Sequence, residues 1–181
     1  LKKLPPQKKS FKQLLEKGNG EIKRAKDAGE FSRSIVIVNG ASGFVIAETD
    51  NVYILLTNTH VVRAAGKVMI ASNEKRQVNL AEAFVVVRNK DTRIPGRNDF
   101  AVLALPKSSL QGEGMVPLPL ITGSHLNERV PVTLVSGEND TISSSYPVFA
   151  DNVTILPMAD SQDGDSGAPY LVKTKKGYSV L

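Results

Sequence analysis

From Ser34 onward the chain is a succession of short apolar runs, each strand-sized and each closed by a turn signal. Ile35-Val36-Ile37-Val38 is wholly β-branched and ends at Asn39-Gly40, a pair that accepts the positive φ angles of a tight hairpin turn. Gly43 to Ala47 and Val52 to Thr57 read as strands around a turn at Thr49-Asp50-Asn51. Lys67 to Ala71, Phe84 to Val87 and Phe100 to Leu105 continue the pattern. Residues 106–127 carry Pro106, Gly112, Gly114, Pro117, Pro119 and Gly123, which marks a connector between halves. Beyond it come Val130 to Val135, Val148 to Ile155 with a turn at Asp151-Asn152, Tyr170 to Val172, and Tyr178 to Leu181. Short strands with little helix predict an all-β sandwich or pair of barrels.

At 181 residues there is room for one domain or two small ones sharing an interface. Cysteine is absent, which excludes a disulfide framework, thiolate chemistry and a Cys-based zinc site. Small secreted enzymes lean on disulfides, so this composition favours an intracellular or viral setting. No apolar run approaches the ~20 residues of a membrane-spanning helix. The start, Leu1-Lys2-Lys3-Leu4-Pro5-Pro6, is basic and lacks the apolar stretch of a signal peptide.

The net charge is +5, but it is not spread evenly. Residues 1–30 hold nine Lys/Arg and four acids, and the remainder holds 14 of each sign. The basicity belongs to an N-terminal arm, residues 1–33, in which Ser10, Phe11, Leu14 and Leu15 start a short helix that Gly18-Asn19-Gly20 would end. A charge run of this kind is ordinarily a solvated segment. The sharper alternative is contact with RNA or an anionic membrane surface. Phe11 and Phe31 alone give little aromatic surface for stacking bases.

Three short motifs carry chemistry. His60 follows an apolar strand in Thr57-Asn58-Thr59-His60-Val61-Val62. Asp99 heads another in Asn98-Asp99-Phe100-Ala101-Val102-Leu103. Ser166 lies in Gly164-Asp165-Ser166-Gly167-Ala168-Pro169. Singly, these suit a structural histidine, a turn carboxylate and a glycine-flanked turn. In combination they supply what amide hydrolysis by a serine requires: a base for the hydroxyl proton and a carboxylate to orient that base. The glycines leave backbone N–H groups to converge, and those of Gly164 and Ser166 would form an oxyanion hole. The order is His, Asp, Ser, at intervals of 39 and 67 residues. No metal or cofactor is called for. His125, in the connector, reads as a surface residue.

On these three motifs, and on the small-residue strand entry Ser42-Gly43-Phe44-Val45-Ile46, residues 34–181 resemble the chymotrypsin/trypsin-like serine peptidases. The resemblance implies two antiparallel β-barrels with the active site in the cleft between them. It places the first barrel at 34–105, the connector at 106–127 and the second barrel at 128–181. By the same resemblance His60 is the general base, Asp99 its partner and Ser166 the nucleophile. Ala168 stands where many relatives have Gly, a departure that a methyl group makes minor.

Specificity follows the same likeness. The family forms the floor of its S1 pocket six residues before the nucleophile, which is Asp160 here, followed by Ser161. A carboxylate there would pair with Lys or Arg at P1, and Asp163 would add negative potential near the entrance. Glu- or Gln-preferring viral peptidases are the rival case, but no His follows Ser166. The family's next strand, which lines S1, lies beyond Leu181, so the second barrel is expected to be incomplete. Arg33-Ser34-Ile35-Val36 faintly resembles a zymogen junction, yet Ile35 lies only 25 residues before His60, so Ile35 to Val38 is expected to be the first barrel strand. The compact peptidases that RNA viruses use on their own polyproteins are the nearest likeness, implying a polypeptide substrate and the host cell cytoplasm. A bacterial trypsin-like or HtrA-like peptidase, cytoplasmic or periplasmic, is the alternative. A binding module for RNA or membrane on a peptidase scaffold is a third expectation of another class.

Overall fold

The computed structural model describes residues 33–62, 68–72, 81–89, 99–109, 114–120, 132–136, 142–145, 148–150, 153–155, 163–174 and 177–180. The strands among them are β1 (Ile35–Val38), β2 (Ala41–Glu48), β3 (Val52–Thr57), β4 (Val68–Ser72), β5 (Ala81–Arg88), β6 (Ala101–Pro106), β7 (Val132–Val135), β8 (Ile142–Ser145), β9 (Val148–Ala150), β10 (Val153–Ile155), β11 (Tyr170–Thr174) and β12 (Gly177–Val180). One turn of helix, α1 (Thr59–Val62), follows β3.

The first six strands close into a barrel in the order β1-β2-β3-β6-β5-β4. The β1–β2 hairpin forms where the sequence places it. Val38 opposes Ala41 across Asn39 and Gly40, whose φ values of +50° and +79° suit a type I′ turn. At the β2–β3 turn the Thr49 hydroxyl accepts from the Asn51 and Val52 N–H groups at 3.3 and 3.1 Å. This local hydrogen bonding explains the Thr-Asp-Asn punctuation. Pairing of β1 with β4, Ile37 opposite Ala71, seals the barrel.

Alternation sorts the side chains. Ala101, Leu103 and Leu105 of β6 point inward with Val45 of β2, Leu55 of β3 and Ile70 of β4, all buried. Each of these Val, Leu and Ile side chains contributes roughly 1.5–3 kcal/mol through burial. β1 breaks the alternation because both its faces are covered. Val36 and Val38 face the barrel core, while Ile35 joins Phe44 of β2 in a second cluster with Leu118, Val135, Leu171 and Val180. A strand buried on both sides reads as a continuous apolar run, as Ile35–Val38 does.

The second half pairs β12-β11-β7-β8 in one antiparallel sheet, with β9 and β10 as a separate hairpin. Among the described residues these strands do not close into a second barrel. The connector stitches the halves together. Leu118 N–H donates to Val45 O at 2.8 Å, and Val180 N–H donates to Pro119 O at 2.8 Å. Ser34 Oγ donates to Val116 O at 2.6 Å, Val116 N–H to Arg33 O at 3.2 Å, and the Arg33 guanidinium to Gly114 O. Ile35 is thus continuous with a bonded strand, as expected of a first barrel strand. β8 was not anticipated: Ser143-Ser144-Ser145 carries no strand signal, but pairing with β7, Leu134 opposite Ser143, makes it a strand. The short helix expected between Ser10 and Gly18 in the arm, and His125, lie outside the described residues.

Candidate active site

The register of β3 against β6 builds the first half of the site. Thr57 opposes Ala101 in an antiparallel pair, so the chain leaving β3 runs beside the chain entering β6. That places His60 against Asp99. Both carboxylate oxygens are used: Oδ2 lies 2.5 Å from His60 Nδ1, and Oδ1 accepts the His60 backbone N–H at 3.1 Å. Two further side chains clamp the same corner. Asn58 Nδ2 donates to Asp99 O at 2.6 Å, and Thr59 Oγ1 donates to Phe100 O at 2.7 Å. In a neutral imidazole with Nδ1–H directed at the carboxylate, the lone pair is on Nε2.

Ser166 belongs to a turn with two left-handed glycines, Gly164 at φ +97° and Gly167 at φ +83°. Ala168 N–H donates to Asp165 O at 2.9 Å and closes the turn around the serine. The turn is docked on β2, since Ser42 N–H donates to Ser166 O at 2.8 Å. Gly167 makes the docking close. A Cβ there would lie 2.2 Å from Ser42 O, 2.4 Å from Thr57 Oγ1 and 3.2 Å from Asn58 N. The serine turn therefore packs on the segment that leads into His60. Among the described residues neither the Gly164 nor the Ser166 N–H donates a hydrogen bond, and Ser166 Oγ makes none to His60.

A cleft of about 450 Å³ opens between the two parts. Thr57, Asn58 and Phe100 line it from the barrel, and Asp165, Ser166, Gly167 and Ala168 from the serine turn. Phe44, Leu56, Leu134 and Tyr170 give it apolar walls. Burial, and then the charge of the buried Asp165, push the Tyr170 phenol above its ordinary value of 10.0. Asp163 is exposed at the start of the turn. Asp160 and Ser161, the expected S1 residues, lie outside the described residues. The motif reading missed the roles of Ser42, Thr57, Asn58 and Gly167. Its one available signal was the run Thr57-Asn58-Thr59, three hydrogen-bonding side chains directly after an apolar strand.

Solved structures share this fold. The serine protease of a human pathogenic astrovirus superposes with a TM-score of 0.59 at 19% identity, over 86% of this chain and 83% of that one. A serine endoprotease from Yersinia pestis gives 0.58 at 15% identity, over 98% of this chain and 63% of that one. The fold is that of the chymotrypsin-like serine peptidases. The M. tuberculosis protease Rv3671c, in an inactive form, gives 0.50 at 20% identity, over 83% of this chain and 84% of that one. No family model and no curated protein sequence matches the chain.

Proposed function

We propose that the chain is a serine endopeptidase working through His60, Asp99 and Ser166. The observation that carries this is the 2.5 Å His60–Asp99 contact, made beside the very Thr57–Asn58 segment on which the Ser166 turn is docked. In this reading His60 Nε2 takes the Ser166 Oγ proton as Oγ bonds to the scissile carbonyl carbon. The oxyanion accepts from the N–H groups of Gly164 and Ser166. The imidazolium, held by Asp99, then protonates the leaving amine, and water activated by the same base releases the acyl group.

Fluorophosphonate labelling and a peptide-library assay test it. The wild-type chain should cleave and take one phosphonyl group by intact mass, and Ser166→Ala should do neither while keeping its circular dichroism. A folded wild-type chain that neither cleaves nor labels refutes the assignment.

The finer reading is processing of the chain's own viral polyprotein in the host cell cytoplasm, with Lys or Arg at P1 drawn by Asp160. The likeness to the astrovirus serine protease supports the viral half. The Yersinia likeness keeps a bacterial peptidase as the second reading. The basic arm, residues 1–30, would hold RNA or an anionic membrane surface, a role that its deletion should remove without loss of cleavage.

A further inference from the structure

We infer that Ser42 and Ser136 form a hydroxyl relay that positions the oxyanion turn; the inference rests on the peptidase reading above. Ser42 is fully buried in β2, and Ser136, just after β7 in the other half of the molecule, is buried as well. Their hydroxyls are 3.2 Å apart. Ser42 Oγ also donates to Gly164 O at 2.9 Å.

The direction is fixed at one end, where a carbonyl can only accept: Ser42 Oγ donates to Gly164 O. Ser136 Oγ lies within hydrogen-bond distance of Ser42 Oγ and ties that hydroxyl to the other half of the molecule. Hydrogen bonds linked in this way polarise one another.

The target of the relay matters. The Gly164 carbonyl belongs to the peptide that joins the two proposed oxyanion donors, the N–H groups of Gly164 and Ser166. Gly164 has φ +97°, and glycine readily adopts other backbone conformations. Local geometry alone does not select the arrangement that leaves both N–H groups free. Ser42 fixes this turn at two points, through Oγ to Gly164 O and through its own N–H to Ser166 O. Its carbonyl is tied in turn by Thr57 Oγ1 at 2.7 Å. Ser42 and Ser136 are positioning residues, acting on the reaction through Gly164 and touching no substrate.

The test is phosphonylation of Ser166 by a fluorophosphonate, resolved into KI and kinact on the full chain. Ser166 Oγ bonds to phosphorus, fluoride leaves, and His60 takes the proton. The phosphoryl oxygen gains negative charge where the oxyanion would form. Ser42→Ala should lower kinact by ~10–100-fold with KI within about twofold, since an oxyanion donor itself is worth ~10²–10³. Ser136→Ala should lower kinact less, and Ser42→Cys, with its weaker donor, should fall between Ser42→Ala and wild type. A fold-only role would not divide the effect this way or be partly rescued by Cys. Unchanged kinact in Ser42→Ala, or a loss confined to KI, overturns the relay and leaves the peptidase reading standing. If Ser42→Ala does not fold, unchanged kinact in Ser136→Ala and Ser42→Cys does the same. A wild-type chain the probe does not modify overturns the peptidase reading and the relay with it.

Discussion

Replacing Gly167 by alanine tests whether the serine turn is docked as described. The added Cβ would lie 2.2 Å from Ser42 O and 2.4 Å from Thr57 Oγ1. Neither can easily retreat. Ser42 is a buried strand residue whose N–H holds Ser166, and Thr57 Oγ1 is itself bonded to Ser42 O. The backbone adds its own cost, because φ is +83° and a side chain there costs ~1–2 kcal/mol. Overpacking adds ~1–3 kcal/mol, so the loss should total about 2–5 kcal/mol. Gly40→Ala is the control. Its φ is +79°, yet nothing lies within 4 Å of the added Cβ, so only the backbone cost of ~1–2 kcal/mol applies. Urea denaturation of both variants reads the difference, with equal m-values showing that the unfolded states match. If the turn instead lifts away to relieve the clash, a ~1 Å displacement should lower the phosphonylation rate of Ser166 on the order of 10²-fold. A Gly167→Ala chain no less stable than Gly40→Ala, labelled at the wild-type rate, would refute the docking.

Two other perturbations separate the chemistry from the scaffold. Asp99→Asn should reduce kcat by ~10³–10⁴, because an amide opposite Nδ1 holds the imidazole in the wrong tautomer. Its stability should change little, as Asn58 and Thr59 grip the backbone carbonyls of residues 99 and 100, which the substitution leaves intact; kinetics beside urea midpoints check both halves. Tyr170 gives a pH prediction. Its folded-state pKa is raised, so as pH climbs past about 10.0 the unfolded chain sheds the phenol proton first and binds fewer protons than the native state. Stability should therefore fall in that window, and Tyr170→Phe should flatten the fall; identical urea midpoints against pH in the two chains would contradict the half-buried phenol.

Much of the fold was legible because its determinants are local. The Asn39-Gly40 hairpin, the Thr49 turn and the apolar runs of β1, β3 and β6 each encode their own conformation in a few residues. At the His60, Asp99 and Ser166 motifs residue type sets what each group could do, and the fold brings His60 against Asp99. β8 was not legible, since Ser143, Ser144 and Ser145 have no strand signal of their own and become a strand by pairing with β7. Nor did the sequence show why Ile35–Val38 lacks alternation, which follows from the second cluster packed on the outer face of β1.

The roles that escaped the sequence share one property. Ser42 acts on residues 164 and 166, Thr57 acts on residue 42, and Asn58 acts on residue 99. Each is a small polar residue whose effect depends on a partner far along the chain, so no window of neighbouring residues reveals it. The motifs supply the candidate groups, but their placement comes from these long-range bonds. β2 is the clearest case. Its strand character follows from its pairing with β1 and β3, yet Ser42 also holds the serine turn, through its N–H to Ser166 O and its hydroxyl to Gly164 O. A serine fully buried in a strand is costly unless bonded, and here its bonds go to the other half of the molecule. That buried hydroxyl is what makes the barrel a support for the site as well as a folding unit.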